Sequence, residues 1–460
     1  MAKKAKFDYD LIVIGSGAGG SAAASIASRA GKRVAIVESD VFGGSSPNYS
    51  DVPLDAVRNV AQIYDRARHS AKSGIRSTTI GYNYPSIRAW KELVVARTGA
   101  GGNRRYYENL GVVPYVGHAH FLTPNEISVN RRHLSAKNFI IATGSTWVAP
   151  IIPGLTEVKY HTPKTILQTM RPPKSLAIIG GSNIGVEIAQ LLATFGTKVY
   201  IVDKDESILP SFEPEVRDLL EKTLDEQKGV TCFVKTEVVA VRNEPGGLKK
   251  LIVKRGKSEK FLKVDEIMIA CGRKPSLDLG LENAGVKYSS SGIKVNDKLQ
   301  TTIPHIYAAG DCIGGQFNQA HSAILESRVA VHNIINPNQK ITPDYTATPI
   351  TLATYPGVAQ IGLLEENYKK RNLKIKTAIA PLSIIAKSNT TDFHDGFVKL
   401  ITNYRGVLIA GTIVAPNAEE MIHELAIAIK YKLTATQLSQ VPHAFLTWSE
   451  ALRVAATKLS

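Results

Sequence analysis

Cysteine is scarce in this 460-residue chain, long apolar runs are missing, and acidic residues are outnumbered by basic ones. Its three cysteines, Cys232, Cys271 and Cys312, are far apart, so we expect no disulfide framework and a reducing compartment, the cytoplasm. No run approaches the roughly 18 apolar residues that a membrane-spanning helix needs, so no membrane span is expected. With a hydrophobic fraction of 44%, the sequence predicts a globular protein of about two to four domains.

The net charge is strongly positive. The 56 lysines and arginines exceed the 40 aspartates and glutamates, which gives a formal charge of +16. Such a charge attracts anions, which could be dinucleotides, nucleic acid or acidic lipid. Basic residues are spread along the chain, however, and the densest run, from Lys249 to Lys263, is typical of the solvated face of a hairpin. We therefore predict no nucleic-acid partner. No metal site is predicted either.

An approximate internal repeat is the most informative feature. The segments DLIVIGSGAGGSAAASIASRAGKRVAIVES, from Asp10, and SLAIIGGSNIGVEIAQLLATFGTKVYIVDK, from Ser175, follow one plan. Each has an apolar strand, a glycine turn, a helix of small residues and a second strand that ends on an acidic residue. This is the pattern of a βαβ unit with a buried parallel strand pair. The repetition predicts two nucleotide-binding domains.

The first unit carries a complete dinucleotide-binding pattern. Gly15, Gly17 and Gly20 form GxGxxG directly after the strand. The first glycine permits the tight turn, the second lets the backbone approach a pyrophosphate, and the third allows helix and strand to pack closely. Glu38 ends the next strand, where a carboxylate can bind both hydroxyls of an adenosine ribose.

The second unit departs from this pattern at one position. Gly180 and Gly185 hold the outer positions, but Ser182 stands where the middle glycine belongs. Asp203 ends the second strand and favours a free 2′-hydroxyl, hence NAD, whereas the adjacent Lys204 could offset its repulsion of a 2′-phosphate. NAD is the favoured ligand and NADP stays open.

Further segments identify a family. Ile140 to Gly144 and Ile269 to Pro275 each join a strand to a turn. The segment TIPHIYAAGD, from Thr302 to Asp311, is the most specific indicator of a family. Here the chain resembles the flavin-dependent pyridine nucleotide–disulfide oxidoreductases, the family of dihydrolipoamide dehydrogenase, glutathione reductase and mercuric reductase. The resemblance covers essentially the whole chain and includes TYPGVAQIG, from Thr354.

The resemblance implies an α/β fold like that of glutathione reductase, with Rossmann-like FAD and NAD(P) domains and a C-terminal α+β dimerisation domain. We expect an FAD domain over 1–150 and 271–340, an NAD(P)H domain over 151–270, and an interface domain over 341–460 that forms a homodimer. The implied FAD-binding residues are Gly15, Gly17, Ala18, Gly20, Glu38, Gly44, Ser45, Thr143, Gly144 and Asp311. The implied NAD(P)H-binding residues are Gly180, Ser182, Ile184, Gly185, Glu187, Asp203 and Gly272.

The family's redox-active cysteine pair is absent. Members commonly read GGTCxNxGCxPSK, and here Gly43, Gly44, Asn48 and Pro53 align with that motif. The two cysteine positions hold Ser46 and Asp51. A hydroxyl and a carboxylate cannot form a disulfide, so no thiol relay is possible at this position.

Two other family positions are changed. In the C-terminal HxHPTxxE motif, His443 and Glu450 remain, but Phe445 occupies the position of the catalytic histidine. Asp55 stands where members have a lysine that pairs with the glutamate equivalent to Glu187 beside the flavin. If the backbone is alike, Asp51, Asp55 and Glu187 face the flavin and hold a proton or a cation during turnover. Alternatively, Asp55 turns to solvent.

Three functions remain open at this point. The favoured one is an NAD(P)H-dependent flavin oxidoreductase that passes electrons directly to a small acceptor such as a quinone, at a site that includes Ser46, Asp51 and Phe445. A soluble transhydrogenase is the second. The third is an FAD-bound scaffold or redox sensor without turnover, against which the retained Gly180, Gly185, Asp203 and Glu187 count.

Overall fold

The computed structural model describes residues 7–76, 79–98, 103–226, 229–315 and 317–460. The strands are β1 Tyr9–Ile14, β2 Val34–Glu38, β3 Val112–Val116, β4 Ala119–Thr123, β5 Glu126–Val129, β6 Arg132–Ile141, β7 Ser145–Trp147, β8 Ser175–Ile179, β9 Lys198–Val202, β10 Val230–Phe233, β11 Glu237–Asn243, β12 Lys249–Arg255, β13 Ser258–Val264, β14 Glu266–Ile269, β15 Arg273–Pro275, β16 Tyr288–Ser289, β17 Gly292–Ile293, β18 Ile306–Ala308, β19 Pro349–Leu352, β20 Gly357–Ile361, β21 Ile375–Pro381, β22 Phe397–Asn403 and β23 Leu408–Ala415.

The α-helices are α1 Ala18–Arg29, α2 Ser45–Asn48, α3 Asp51–Arg68, α4 Tyr84–Arg97, α5 Arg104–Asn109, α6 Pro163–Ile166, α7 Asn183–Thr194, α8 Pro214–Glu226, α9 Ala320–Ile335, α10 Glu365–Lys370, α11 Ala386–Thr391, α12 Ala418–Lys430, α13 Ala435–Ser439 and α14 Glu450–Thr457. In the described part of the chain, no helix has both the length and the apolar content needed to cross a membrane.

Two compact units divide the chain. Unit 1 comprises 1–148, 164–171 and 272–343. Its main sheet has the order β3-β2-β1-β6-β5-β4, and β18 adds to β6. Strands β3, β2, β1, β6 and β18 run parallel, and β2 is buried along its whole length, as expected for a parallel strand covered on both faces. The nucleotide turn at the end of β1 therefore sits at the carboxyl edge of a rigid parallel sheet.

Unit 2 comprises 149–163, 172–271 and 344–460. A parallel sheet of order β10-β9-β8-β14 contains the second βαβ unit, and an antiparallel sheet of order β11-β12-β13 accompanies it. The C-terminal part forms an antiparallel sheet of order β19-β20-β23-β22-β21. The buried face of α12 packs on this sheet with Met421, Ile422 and Leu425 in its core.

The architecture confirms the predicted fold class. Both βαβ units lie where the repeat placed them, as β1-α1-β2 and β8-α7-β9, and the C-terminal segment is α+β. The lysine-rich run also forms the expected hairpin, β12–β13. Unit 1 takes in segments on both sides of the second βαβ unit. The finer domain limits at 150, 270 and 340 stay a prediction.

Candidate functional site

The first glycine turn has no room for side chains at two positions. A Cβ on Gly15, whose φ is +97°, would lie 2.3 Å from the Ala142 carbonyl oxygen, and one on Gly20 would lie 1.9 Å from the Gly15 carbonyl oxygen. At Gly17 no atom lies within 4 Å of the added Cβ. Gly17 is the N-cap of α1, and no side chain caps this helix end. The turn thus leaves open space at Gly17 and Ala18, where helix N–H groups favour an anion such as a pyrophosphate.

Glu38 is fixed at the end of β2 by hydrogen bonds from this turn. Its Oε2 accepts from the Ser16 N–H at 2.9 Å and from the Ser16 hydroxyl at 2.6 Å, and its Oε1 accepts from the Asp40 N–H at 2.9 Å. The residue is only 9% exposed. These contacts orient the carboxylate at the position predicted for ribose binding. The open cradle and the oriented acid together fit the adenosine diphosphate part of FAD.

The segment that carries the cysteine motif in the family lies directly on this turn. Gly44 has φ +70°, and a Cβ there would lie 2.5 Å from the Gly17 Cα. The Gly43 N–H donates to the Ser16 hydroxyl at 2.9 Å, and the Asn48 amide donates to the Gly44 carbonyl at 2.8 Å. Ser45 and Ser46 follow on α2. The scaffold of the redox motif is therefore intact around a position that holds Ser46.

The two aspartates of the motif lie on the surface of unit 1. Asp51 is exposed in the first turn of α3, where a carboxylate interacts favourably with the helix dipole. Asp55 is exposed one turn later and accepts a hydrogen bond from Arg58 Nε at 3.1 Å. Both line a groove of about 540 Å³ with Trp90. The hydrogen-bond partner of Asp55 in the structure is Arg58, and a role of Asp55 at the flavin stays a prediction.

Asp311 is held by residues that the sequence did not single out. The Ser145 hydroxyl donates to Asp311 Oδ2 at 2.5 Å, and Arg273 Nε donates to the Ser145 hydroxyl at 2.7 Å. The Arg273 guanidinium also lies over the Trp147 ring, 4.8 Å from its centroid. Strands β7 and β15 pair antiparallel and bring these residues together. The strand-then-turn segments Ile140 to Gly144 and Ile269 to Pro275, which adjoin or include β7 and β15, were the sequence features that pointed to this region.

Two further contacts shape the turns around Asp311. Thr143 donates its hydroxyl to the Ser276 carbonyl at 2.7 Å, and Gly144 next to it has φ +66°. Buried Glu326 accepts from the Gly310 N–H at 2.6 Å. The sequence also gave no signal for Glu326, because it lies 16 residues away on α9. Both contacts fix backbone at the carboxyl ends of β6 and β18.

The second glycine turn tolerates its serine. Gly180 has φ +111°, and a Cβ on it would lie 2.6 Å from the Ala270 carbonyl oxygen, while one on Gly185 would lie 2.5 Å from the Gly180 carbonyl oxygen. Ser182 is the N-cap of α7, and its hydroxyl donates to the Ala270 carbonyl at 2.7 Å. The hydroxyl is thus bonded to the end of β14, and Ser182, Ile184 and Gly185 form a turn of the dinucleotide-binding type.

Asp203 is oriented at the end of β9 by backbone amides. It accepts from the Gly181 N–H, and its Oδ1 accepts from the Asp205 N–H at 2.8 Å. Lys204 is exposed. Gly272 has φ +128° and open space around its Cβ position. The oriented carboxylate at the end of β9 fits the adenosine ribose of NAD.

Cys271 lies next to this turn, and its sulfur points inward. The Sγ donates to the Ile179 carbonyl at 3.1 Å although the residue as a whole is exposed. Burial of the sulfur, and then the negative charge of Asp203, raise the pKa of the Cys271 thiol to about 11. The thiol is therefore protonated and unreactive at neutral pH.

Glu187 contacts the C-terminal part of unit 2. Its Oε1 accepts from the Ala353 N–H at 2.7 Å. One turn later on α7, Gln190 accepts from the Tyr355 N–H and donates to the Tyr355 carbonyl, both at 2.7 Å. The two side chains fasten the segment before β20 to the helix of the second nucleotide turn. A role of Glu187 at the flavin stays a prediction.

The C-terminal motif carries Phe445 at the position of the family's histidine. Phe445 is 74% exposed. Leu446, at the position of the family's proline, has φ +62°, which proline cannot adopt. Its N–H donates to Glu450 Oε2 at 3.0 Å. His443 lies 2.6 Å from Glu424 Oε1 through Nε2. Glu450 thus accepts a hydrogen bond from a backbone N–H that a proline at position 446 would lack.

Comparisons with known proteins identify the family. A family model described as pyridine nucleotide-disulphide oxidoreductase matches residues 9–327, and the model of its dimerisation domain matches residues 348–456. The mercuric reductase of Bacillus cereus is 31% identical over 458 residues, covering 98% of this chain and 71% of the relative. The dihydrolipoyl dehydrogenase of Bacillus subtilis is 32% identical over 457 residues, covering 98% and 96%.

Solved structures show the same fold. The copper(II) complex of the HOCl-induced flavoprotein disulfide reductase RclA from Escherichia coli superposes with a TM-score of 0.86 at 23% identity, covering 98% of this chain and 99% of that one. At this identity the likeness supports the fold alone.

Proposed function

Given that the chain belongs to the pyridine nucleotide-disulphide oxidoreductase family, whose members use FAD and NAD(P)H, we propose that it oxidises NAD(P)H and passes the electrons from the flavin directly to a small acceptor such as a quinone. The observation that carries the proposal is the intact scaffold at Gly43, Gly44 and Asn48 around a motif that holds Ser46 and Asp51. Neither residue can accept two electrons as a disulfide does.

The two glycine turns have separate roles in this proposal. The first turn, Glu38 and Asp311 would hold FAD, and the second turn with Asp203 would hold NAD(P)H. Bound there, FAD would supply the chemistry of accepting a hydride from the nicotinamide and of giving up two electrons. Ser145 would keep Asp311 oriented, because its hydroxyl donates to the Asp311 carboxylate. Arg273 would fix Ser145 in turn by donating to the same hydroxyl.

The acceptor site lacks the family's thiols and its histidine. Ser46 and Asp51 would border it, together with Phe445 of the interface domain in a homodimer. An exposed aromatic ring supplies flat contact area to a quinone but no proton. We therefore infer that the protons for the reduced acceptor come from solvent.

An anaerobic titration of the purified yellow protein with NADH, and in a second sample NADPH, tests the proposal. We expect at least one of them to bleach the flavin without the long-wavelength thiolate-to-flavin band that cysteine-bearing relatives show. Steady-state assays should show turnover with a soluble quinone and none with lipoamide, glutathione disulfide or mercuric ion. The Bacillus subtilis dihydrolipoyl dehydrogenase is the positive control for the band and for lipoamide.

Two variants make the test sharper. Ser46→Ala and Asp51→Asn should keep quinone reduction within a few-fold, because neither side chain relays electrons. Efficient lipoamide turnover by the wild type would overturn the proposal. Bleaching by neither nucleotide would favour the scaffold, and nucleotide-to-nucleotide hydride transfer without quinone turnover would favour the transhydrogenase.

A further inference from the structure

The antiparallel sheet β11-β12-β13 of unit 2 has one buried face and one solvent face. Val241, Leu251, Val253 and Val264 point into the core. Because side chains alternate across a strand, the residues between them project to the other side. We call this surface the basic sheet face; its charged and large apolar residues are Glu237, Arg242, Lys250, Ile252, Lys254, Glu259, Phe261 and Lys263.

Three cations form a row across the basic sheet face. The strand register places Arg242 opposite Lys250 and Lys250 opposite Lys263. Like charges directly opposite one another destabilise a sheet. Glu244 compensates part of this repulsion through an ion pair with Lys263 at 2.9 Å. Glu237 and Glu259 lie opposite Lys254 in the strand register, so the excess positive charge of this face is concentrated at Arg242 and Lys250. An anionic surface would relieve the repulsion.

An apolar pair lies beside the cation row. Phe261 is 60% exposed, and the register places it opposite the partly buried Ile252. The Lys250 ammonium lies over the Phe261 ring, 4.7 Å from its centroid. One face of the ring is therefore covered by an ammonium group, which hinders the base stacking that single-stranded nucleic acid requires. Shallow insertion into a lipid interface needs only exposed apolar area surrounded by cations.

We propose that the basic sheet face docks on the anionic headgroups of a membrane surface. The lysines and the arginine contact acidic phospholipids, while Phe261 and Ile252 enter the headgroup region. The charge complementarity is local to this sheet. The proposal does not depend on the electron acceptor, since docking needs neither nucleotide nor turnover.

Vesicle co-sedimentation of the FAD-loaded protein, without NAD(P)H, tests this docking. We expect binding to phosphatidylcholine vesicles that contain about a third phosphatidylserine, little binding to pure phosphatidylcholine, and loss of binding at high salt. The double variant Arg242→Gln, Lys250→Gln should lower the partition coefficient roughly thirtyfold at low salt. Phe261→Ser should lower it about fivefold.

The matched control removes the same charge elsewhere in unit 2. Lys374→Gln, Lys376→Gln, at two exposed positions at the edge of the C-terminal sheet, should bind vesicles like the wild type. An equal loss in this control would overturn the proposal in favour of general charge attraction. Equal binding to neutral vesicles, or displacement from acidic vesicles by single-stranded RNA that binds more tightly, would also overturn it. If the double variant misfolds, Phe261→Ser and the salt dependence still decide.

Discussion

At the scale of single residues, the departures from the family motif are accommodated without disturbing their surroundings. Ser182 bonds to the Ala270 carbonyl, and Asp55 pairs with Arg58 at the surface. Ser46 lies on α2, just after Gly44, whose backbone still packs closely against Gly17 in the nucleotide turn. The chain has thus lost the chemistry of these positions while keeping their backbone.

Asp55→Asn should leave flavin reduction by NAD(P)H almost unchanged. The carboxylate is exposed and its ion pair with Arg58 is a surface pair, which contributes little free energy. Stopped-flow measurements across the pH range should give a rate profile that overlays the wild type within about twofold. A shifted profile would show that Asp55 acts at the flavin despite its surface position.

Cys271 gives a pH-dependent test of the second nucleotide site. Because the pKa of its thiol is raised to about 11, the reactive thiolate forms only as the pH approaches that value. Iodoacetamide should label Cys271 slowly at pH 8 and about tenfold faster with each unit of pH up to pH 11. Mass spectrometry locates the label, and glutathione provides the reference rate. Bound NADH should slow the reaction if the Gly272 turn holds the nucleotide.

At the scale of elements, local sequence patterns predicted the βαβ units well. Glycine spacing and the terminal acids Glu38 and Asp203 specify a turn within about 30 residues, so both strands and the helix between them could be predicted together. The contacts of Asp311 with Ser145 could not be predicted, because these residues are 166 positions apart and meet only through the fold. The pairing of Asp55 with Arg58 could not be predicted either, because it depends on the side-chain rotamers of both residues.

The loop before α14 is an element whose conformation can be tested directly. Leu446→Pro should destabilise the C-terminal part by more than about 1 kcal/mol, because φ +62° is closed to proline and the bond to Glu450 is lost. Leu446→Gly keeps the N–H and relieves the left-handed strain, so its unfolding midpoint should equal or exceed that of the wild type. Urea unfolding measures both. A proline variant as stable as the wild type would contradict this loop conformation.

At the scale of the whole molecule, a buried ion cluster stabilises unit 2. Lys399 on β22 is 1% exposed, and its Nζ lies 3.1 Å from Glu213, 2.8 Å from Glu215 and 2.8 Å from Glu365. Burial alone would lower the pKa of Lys399, but hydrogen bonds to Glu215, Glu365 and Glu213 outweigh it and raise the pKa. The cluster joins the start of α8 to the C-terminal sheet.

Lys399→Met should destabilise unit 2 by about 3–5 kcal/mol, because it leaves buried carboxylates without a cation. The double variant Lys399→Met, Glu213→Gln should recover part of that loss, since Glu213 is 2% exposed and becomes neutral. The midpoint of urea unfolding followed by circular dichroism measures both. Equal stability of the two variants would show that Glu213 carries no unpaired charge in the single variant.

The hydrogen bond between Leu446 and Glu450 also sets what restoring the family motif in this loop would require. A histidine at position 445 would meet a carboxylate whose Oε2 is occupied by the Leu446 N–H and whose Oε1 could still accept from an imidazole. A proline at position 446 would remove that N–H and could not adopt a φ of +62°. Restoring the whole motif therefore demands a different backbone at position 446 and not only two new side chains.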